Sequence, residues 1–164
     1  MSGTYWYDRL PELLAAEKKA MAQYFPQFNL GKLPDGRLYW YGSVNPRGEY
    51  GGVWTLMAVY NHDHPSNRAT WGSSVRIYPI KPELEELSKA INHQLPHVLV
   101  DSNHKLFICS SRREDVAAGT TDGVGSYDAT SAASSLAWAL KWIWLFEGWL
   151  EGEISTDDIF NHVY

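Results

Sequence analysis

Cysteine is almost missing from this chain: Cys109 is the only one in 164 residues. One thiol excludes an internal disulfide framework and fits a reducing compartment. Long apolar runs are missing too, so no membrane-spanning helix is expected, because a span needs about 18 or more such residues. Positive charge is in deficit, with 14 Lys and Arg against 19 Asp and Glu and a formal net charge of −5. That balance excludes the basic surface on which a nucleic-acid binder depends. The one adjacent arginine pair, Arg112-Arg113, runs directly into Glu114-Asp115 and reads as a solvated loop. Gly119 to Gly125 is glycine-rich but has no lysine where a phosphate grip would need it. His62 and His64 flank Asp63 in a turn beside Pro65, with no second pair at ligand spacing and no partner thiol for Cys109. Neither a metal nor another cofactor is expected. The first residues, Met1 to Asp8, lack the basic and apolar regions of a secretion signal, so the expected location is the cytoplasm.

Aromatic residues, by contrast, are plentiful: 8 Trp, 10 Tyr and 5 Phe. With 45% hydrophobic and 20% charged residues, the chain reads as one globular domain over 1–164, with a core about 8–152 and a tail 153–164. A helix is expected from Asp8 to Tyr24, with Leu10, Leu13, Leu14 and Met21 on an apolar stripe and Glu17, Lys18 and Lys19 on a solvated face. Asp8 can cap it, Pro11 suits its first turn and Pro26 ends it. Strands are expected at Arg37 to Val44, Val53 to Tyr60 and Thr70 to Tyr78. Their short connections make them an antiparallel meander. Pro79, Pro82 and Pro96 punctuate the chain after the third strand, with a short helix at Glu83 to Asn92. His97 to Ser111 reads as extended or coiled, and Arg112 to Tyr127 as a polar loop. A long helix capped by Asp128 or Thr130 then runs to about Gly152. Its apolar residues go nearly all the way round, so it is either buried on most sides or offers a partner an apolar face. Ile154 to Tyr164 is an acidic, aromatic tail expected to dock loosely. The class is α+β.

Cys109 ends a polar turn and a short apolar strand in the segment His97-Val-Leu-Val-Asp-Ser-Asn-His-Lys-Leu-Phe-Ile-Cys109. A lone thiol in an intracellular protein can equally be a small buried hydrophobe. The neighbouring segments argue for chemistry. Tyr78-Pro-Ile-Lys-Pro82 resembles the Tyr-Pro-x-x-Pro signature that comes after the third strand of the ubiquitin-conjugating-enzyme fold. His97 sits near the place of that family's His-Pro-Asn histidine, and Phe107-Ile-Cys109 resembles its approach to the active-site cysteine. The chain is similar, more narrowly, to stand-alone bacterial conjugating-enzyme-like proteins of antiphage (CBASS) operons built around cGAS-like nucleotidyltransferases. Their pattern has a His-Val-x-x-Asp stretch, here His97 to Asp101, and a Trp-rich helix, here Trp138 to Trp149.

The resemblance implies that Cys109 accepts the C-terminal carboxyl of a partner protein as a thioester and passes it to an amine in antiviral defence. It also implies a cGAS-like nucleotidyltransferase as partner; from charge and hydropathy, neither nucleic acid nor membrane is expected as a partner. A free carboxylate cannot form a thioester without an energy source. A separate activating enzyme is therefore expected, unless the donor arrives activated. The family's Pro-Asn is Val98-Leu99 here, so the oxyanion-stabilising role is either vacant or falls to Asn103, His104 or backbone amides. A thiol near pKa 8.5 is only about 3% ionised at pH 7, so a helper imidazole, His97 or His104, is expected. The amine needs a base, for which Asp101, Asp122 and Asp128 are candidates. The catalytic set read from the sequence is Cys109, His97, Asp101 and His104. A non-catalytic adaptor binding through the aromatic helix, and a cysteine hydrolase, are the competing readings.

Overall fold

The computed structural model describes residues 5–65, 74–108 and 131–161. A short helix α1 (Trp6–Arg9) leads into α2 (Pro11–Tyr24), where Pro11 takes the first helical position and so forfeits no internal hydrogen bond. Asp8 lies in the first turn of α1 and caps neither helix. Six strands come next: β1 (Asn29–Lys32), β2 (Leu38–Val44), β3 (Trp54–Tyr60), β4 (Val75–Lys81), β5 (Val98–Val100) and β6 (Leu106–Ile108). They form one antiparallel sheet in the order β1-β2-β3-β4-β6-β5. Helix α3 (Leu84–Ile91) links β4 to β5, α4 (Ala132–Leu150) packs on the sheet, and α5 (Thr156–Asn161) ends the described chain. The architecture is α+β with an N-terminal helix and a six-stranded antiparallel sheet.

Strict alternation divides the two faces of the sheet. Leu38, Trp40, Trp54, Leu56, Ala58, Tyr60, Val75, Ile77 and Ile108 join the main core, with Met21 and Phe25 from the α2 side. Val59, Tyr78 and Phe107 form a smaller cluster on the other face. Helix α4 buries one stripe, Ala132, Ser135, Leu136, Ala139, Trp142, Ile143 and Phe146, at steps of three and four. Trp142 is the anchor of that stripe. It stacks on Phe146 with centroids 4.9 Å apart and meets Trp54 edge-on, and its indole N–H donates to the Pro96 carbonyl at 2.9 Å. Trp138 and Trp149 are half-buried, while Trp144 is 47% and Leu150 49% exposed. Apolar character all round the helix thus becomes one buried stripe with an exposed aromatic remainder.

Several sequence expectations are corrected. β1 has no counterpart among the expected strands; it pairs with β2 across the Leu33–Arg37 turn. Of the two readings of the stretch from His97, extended rather than coiled is the one found through Ile108, and its two short strands pair as a hairpin with β6 lying between β4 and β5. Pro79 does not come after the third strand of the meander but lies inside β4, at a register shift opposite Thr55 and Leu56. A missing N–H is tolerated there because β6 pairs with β4 only at Ile77. Ser131 caps α4 by accepting from the Ser134 amide, displacing the expected Asp128 or Thr130, and the helix stops at Leu150. The described part of the tail is not loose: Ile159 of α5 is 2% exposed, and Trp6, also outside the expected core span, is equally buried.

The largest correction is Glu17, which is 4% exposed rather than solvated. One carboxylate oxygen accepts from the Tyr60 hydroxyl at 2.5 Å and from the Ala132 amide, the first of α4, at 2.9 Å. Tyr60 in turn accepts from the Trp40 indole at 2.9 Å. Burial pushes the Glu17 carboxyl above its ordinary value, against the opposing pull of those two hydrogen bonds. Nearby, burial holds His64 neutral by lowering its pKa to about 3, with Nδ1 against the Ser74 hydroxyl.

This packing sets two expectations for stability. Trp142→Ala should cost about 3–5 kcal/mol in denaturant unfolding, the range for a buried aromatic. Glu17→Ala should cost at least about 2 kcal/mol by stranding two buried donors. Because the folded pKa of Glu17 is raised, the native state holds the extra proton, and wild-type stability falls as pH rises through the window above the ordinary glutamate value. Glu17→Gln should remove that slope; an unchanged pH profile of the unfolding midpoint would contradict the assignment.

Candidate active site

The β5–β6 hairpin carries three of the four side chains expected to do chemistry, and its construction decides what each can reach. Cys109 lies outside the described residues, as do Asp122 and Asp128. The described chain reaches Ile108, which pairs with Val98 on one side and Ile77 on the other and is 2% exposed. The residue preceding Cys109 is therefore fixed in an interior strand.

At the turn end, Asp101 closes the hairpin. Its backbone N–H donates to the Lys105 carbonyl, and its carbonyl accepts from the His104 amide. One carboxylate oxygen accepts from the amides of Asn103 and Lys105 at 2.8 and 2.9 Å. The other accepts from the Tyr78 hydroxyl at 3.0 Å. Burial raises the Asp101 pKa, but those donors and the charge of Arg76 outweigh it and hold the carboxyl below its ordinary value. Asp101 is thus a turn organiser and a weaker base than a free carboxylate. His104 adopts φ 65°, the left-handed turn conformation, and its side chain is exposed. The acids beside α3 secure the same end: Lys105 reaches Glu83 at 3.2 Å, and the Leu106 amide donates to Glu85 at 2.8 Å. A surface cavity of about 230 Å³ opens beside the turn over Tyr78, with Arg76, Asn103 and Lys105 in its walls. The Arg76 guanidinium lies 4.6 Å from the Phe107 ring centre.

His97 stands at the opposite, open end. Four residue steps of nearly extended chain, about 13 Å at roughly 3.3 Å each, separate it from Asp101, so the two cannot form an imidazole–carboxylate pair. His97 has φ 51°, a conformation that non-glycine residues adopt at a cost. Two contacts hold it: the Trp142 bond to the preceding Pro96 carbonyl, and its own Nε2, 2.7 Å from the Ile159 carbonyl of α5. Helix α5 is itself clamped by Trp149, whose indole donates to Thr156 and whose ring packs edge-on against Phe160. The structure therefore brings Asp101 and His104 into one turn and sets His97 apart, at the end where the chain continues to Cys109.

Sequence reasoning missed Tyr78 as the partner of Asp101, Glu85 as a clamp and α5 as a support for His97. Of these, only Tyr78 lay within a recognisable motif. Among the described residues no group of three or more His, Cys, Asp or Glu side chains is placed to hold a metal, and no helix is long and apolar enough to cross a membrane. Protein-family models, curated proteins and solved structures yield no match to this chain.

The role of Asp101 can be checked by its pH signature. Its folded pKa is depressed, so its stabilisation is present above the ordinary aspartate value and is lost as pH falls through the folded one. Buried neutral His64 also weakens the fold on acidification, so the difference between wild type and Asp101→Asn isolates the carboxylate. That difference should be large at neutral pH and shrink as pH falls below the ordinary aspartate value. A difference independent of pH would show that the turn does not use the charge.

Proposed function

We propose that this protein is a cysteine-dependent conjugating enzyme of the ubiquitin-conjugating type, with Cys109 as the acyl-carrying residue. The observation that carries the reading is the interior strand β6, which fixes Ile108 between Ile77 and Val98 immediately before Cys109 in the chain, with His97 at the same end of the hairpin. The succession of N-terminal helix, antiparallel meander, Tyr78-Pro79 strand and long helix α4 supports it. The six strands and the inserted α3 extend beyond the meander that the resemblance implies.

The chemistry starts from the thiol. The Cys109 sulfur, having lost its proton, attacks the activated C-terminal carbonyl of the donor protein. The activating group departs with the bonding electrons, leaving a thioester. An amine of the acceptor then attacks the same carbonyl, the C–S bond breaks, and the amine's extra proton passes to a base. On the resemblance to the antiphage conjugating proteins, the donor is a cGAS-like nucleotidyltransferase, activated by a separate enzyme, in an antiviral pathway of the cytoplasm. A second reading has one observation in its favour. Trp144 and Leu150 are exposed on α4, and the Trp144 ring lies under the Arg47 guanidinium at 4.1 Å, a surface on which a non-catalytic adaptor could hold a partner.

Substitution at one atom separates these readings. Co-expressed with candidate donor and activating proteins, wild type should give an adduct that thiol reductants release. Cys109→Ser should carry the donor as an oxyester, stable to thiols and cleaved by hydroxide, and Cys109→Ala should carry nothing. A hydrolase would release cleaved donor without conjugates. Full biological activity in Cys109→Ala would leave only the adaptor.

A further inference from the structure

We propose that the cavity beside the Asp101 turn binds a small organic oxyanion, a carboxylate or a phosphate monoester on a compact apolar body, with Arg76 recognising the charge. Strand alternation builds its floor. Arg76, Tyr78 and Ile80 of β4 share the face opposite the main core, and on β3 Val59 lies across from Arg76 and Met57 across from Tyr78. The β1–β2 hairpin flanks this floor on one side and the β5–β6 hairpin on the other. The turn of each adds to the walls, with Leu33 and Arg37 from the first and Asp101, Asn103 and Lys105 from the second. The volume of about 230 Å³ is below the roughly 300–1,000 Å³ of drug-sized sites, so it suits a compact ligand.

The charge in this lining is unbalanced. Three cations, Arg37, Arg76 and Lys105, stand against one carboxylate, Asp101, whose oxygens already accept from two amides and the Tyr78 hydroxyl. Arg37 and Lys105 are held by carboxylates outside the lining, Asp35 at 2.8 Å and Glu83 at 3.2 Å. Arg76 is different: among the described residues it forms no ion pair, and its buried Nε has no acceptor. Its guanidinium lies over the ring of Phe107, which is 1% exposed, so one side of the charge meets apolar matter instead of water. A charge placed that way is poorly screened and gains more from an anion than a solvated one would. The planar fork of a guanidinium matches two oxygens of a carboxylate or a phosphate. Leu33, Met57 and Ile80 are half-buried, and the apolar surface they leave open is what the body of the ligand would cover.

The test uses the full chain, titrated at neutral pH and followed by proton–nitrogen NMR. Benzoate and phenyl phosphate carry both the charge and the apolar body; acetate and inorganic phosphate carry the charge alone, and benzamide the body alone. Benzoate or phenyl phosphate should give saturable shifts centred on the amides of Met57, Asn103 and Lys105. The tighter of the two names the oxyanion. Benzamide and the charge-only probes should each bind at least about tenfold more weakly, as expected when a charged hydrogen-bond partner or the apolar contact is lost. Arg76→Gln should weaken the tighter probe by about tenfold or more. Ile80→Glu, which sets a carboxylate in the same lining and keeps the guanidinium, should do the same, and it carries the decision if Arg76→Gln fails to fold. Benzamide binding as tightly as benzoate and phenyl phosphate, shifts that never saturate, or undiminished binding in Ile80→Glu or in a folded Arg76→Gln overturns the proposal. None of these readouts involves Cys109, so the site stands or falls apart from the thioester reading.

Discussion

A single buried carboxylate joins the parts of this fold. Glu17 leaves α2, meets the end of β3 through Tyr60 and receives the first amide of α4. Taking a carboxylate out of water is costly unless hydrogen bonds replace what water gave, and here two strong donors converge on one oxygen. The positive end of the helix dipole at α4 adds to that compensation when the group is ionised. Through Tyr60 the chain of contacts continues to the Trp40 indole in β2, so two strands and two helices meet at one polar seam inside an otherwise apolar core. Apolar packing can slide by a residue at small cost. A polar seam of this kind has one arrangement in which every donor is matched, which fixes where α4 begins relative to the sheet.

Much of the framework was legible because burial imprints a period. Leu13, Leu14 and Met21 announce α2; Leu38, Trp40, Trp54, Leu56 and Ala58 announce the alternating strands; and the tryptophans from Trp138 announce α4. The failures share a cause, since each is a place where tertiary context overrides a local signal. Glu17 falls on the stripe of Leu14 and Met21, and its charge alone argued for the solvated side. Pro79 reads as a strand breaker until it is set beside the register shift in its neighbour. The four residues of β1 and three each of β5 and β6 are too short to display a period.

The candidate site was legible in identity more than in arrangement. His97, Asp101 and His104 share one hairpin, as their closeness in sequence requires. Sequence proximity, however, suggested a cluster where the strands impose a separation. The roles that Asp101 fills, towards Asn103, Lys105 and Tyr78, depend on a turn whose register is that of β5 on β6, and on β4 lying beside β6. The support of His97 comes from a residue 62 positions away in the chain, Ile159, through its main chain. No side-chain chemistry marks that residue for its task, so no motif could have revealed it.

The margins of the sheet carry a consequence of their own. Among the described residues the two outer strands are short, β1 with four residues ending in Lys32 and β5 with three. Short edges and a terminal lysine are devices by which antiparallel sheets avoid joining one another edge to edge. A foreign strand laid along either margin would gain a ladder of three or four residues, too little to repay the ordering of its backbone. Recognition of another polypeptide by these described surfaces is therefore directed to side chains and their shapes, and away from main-chain zippering.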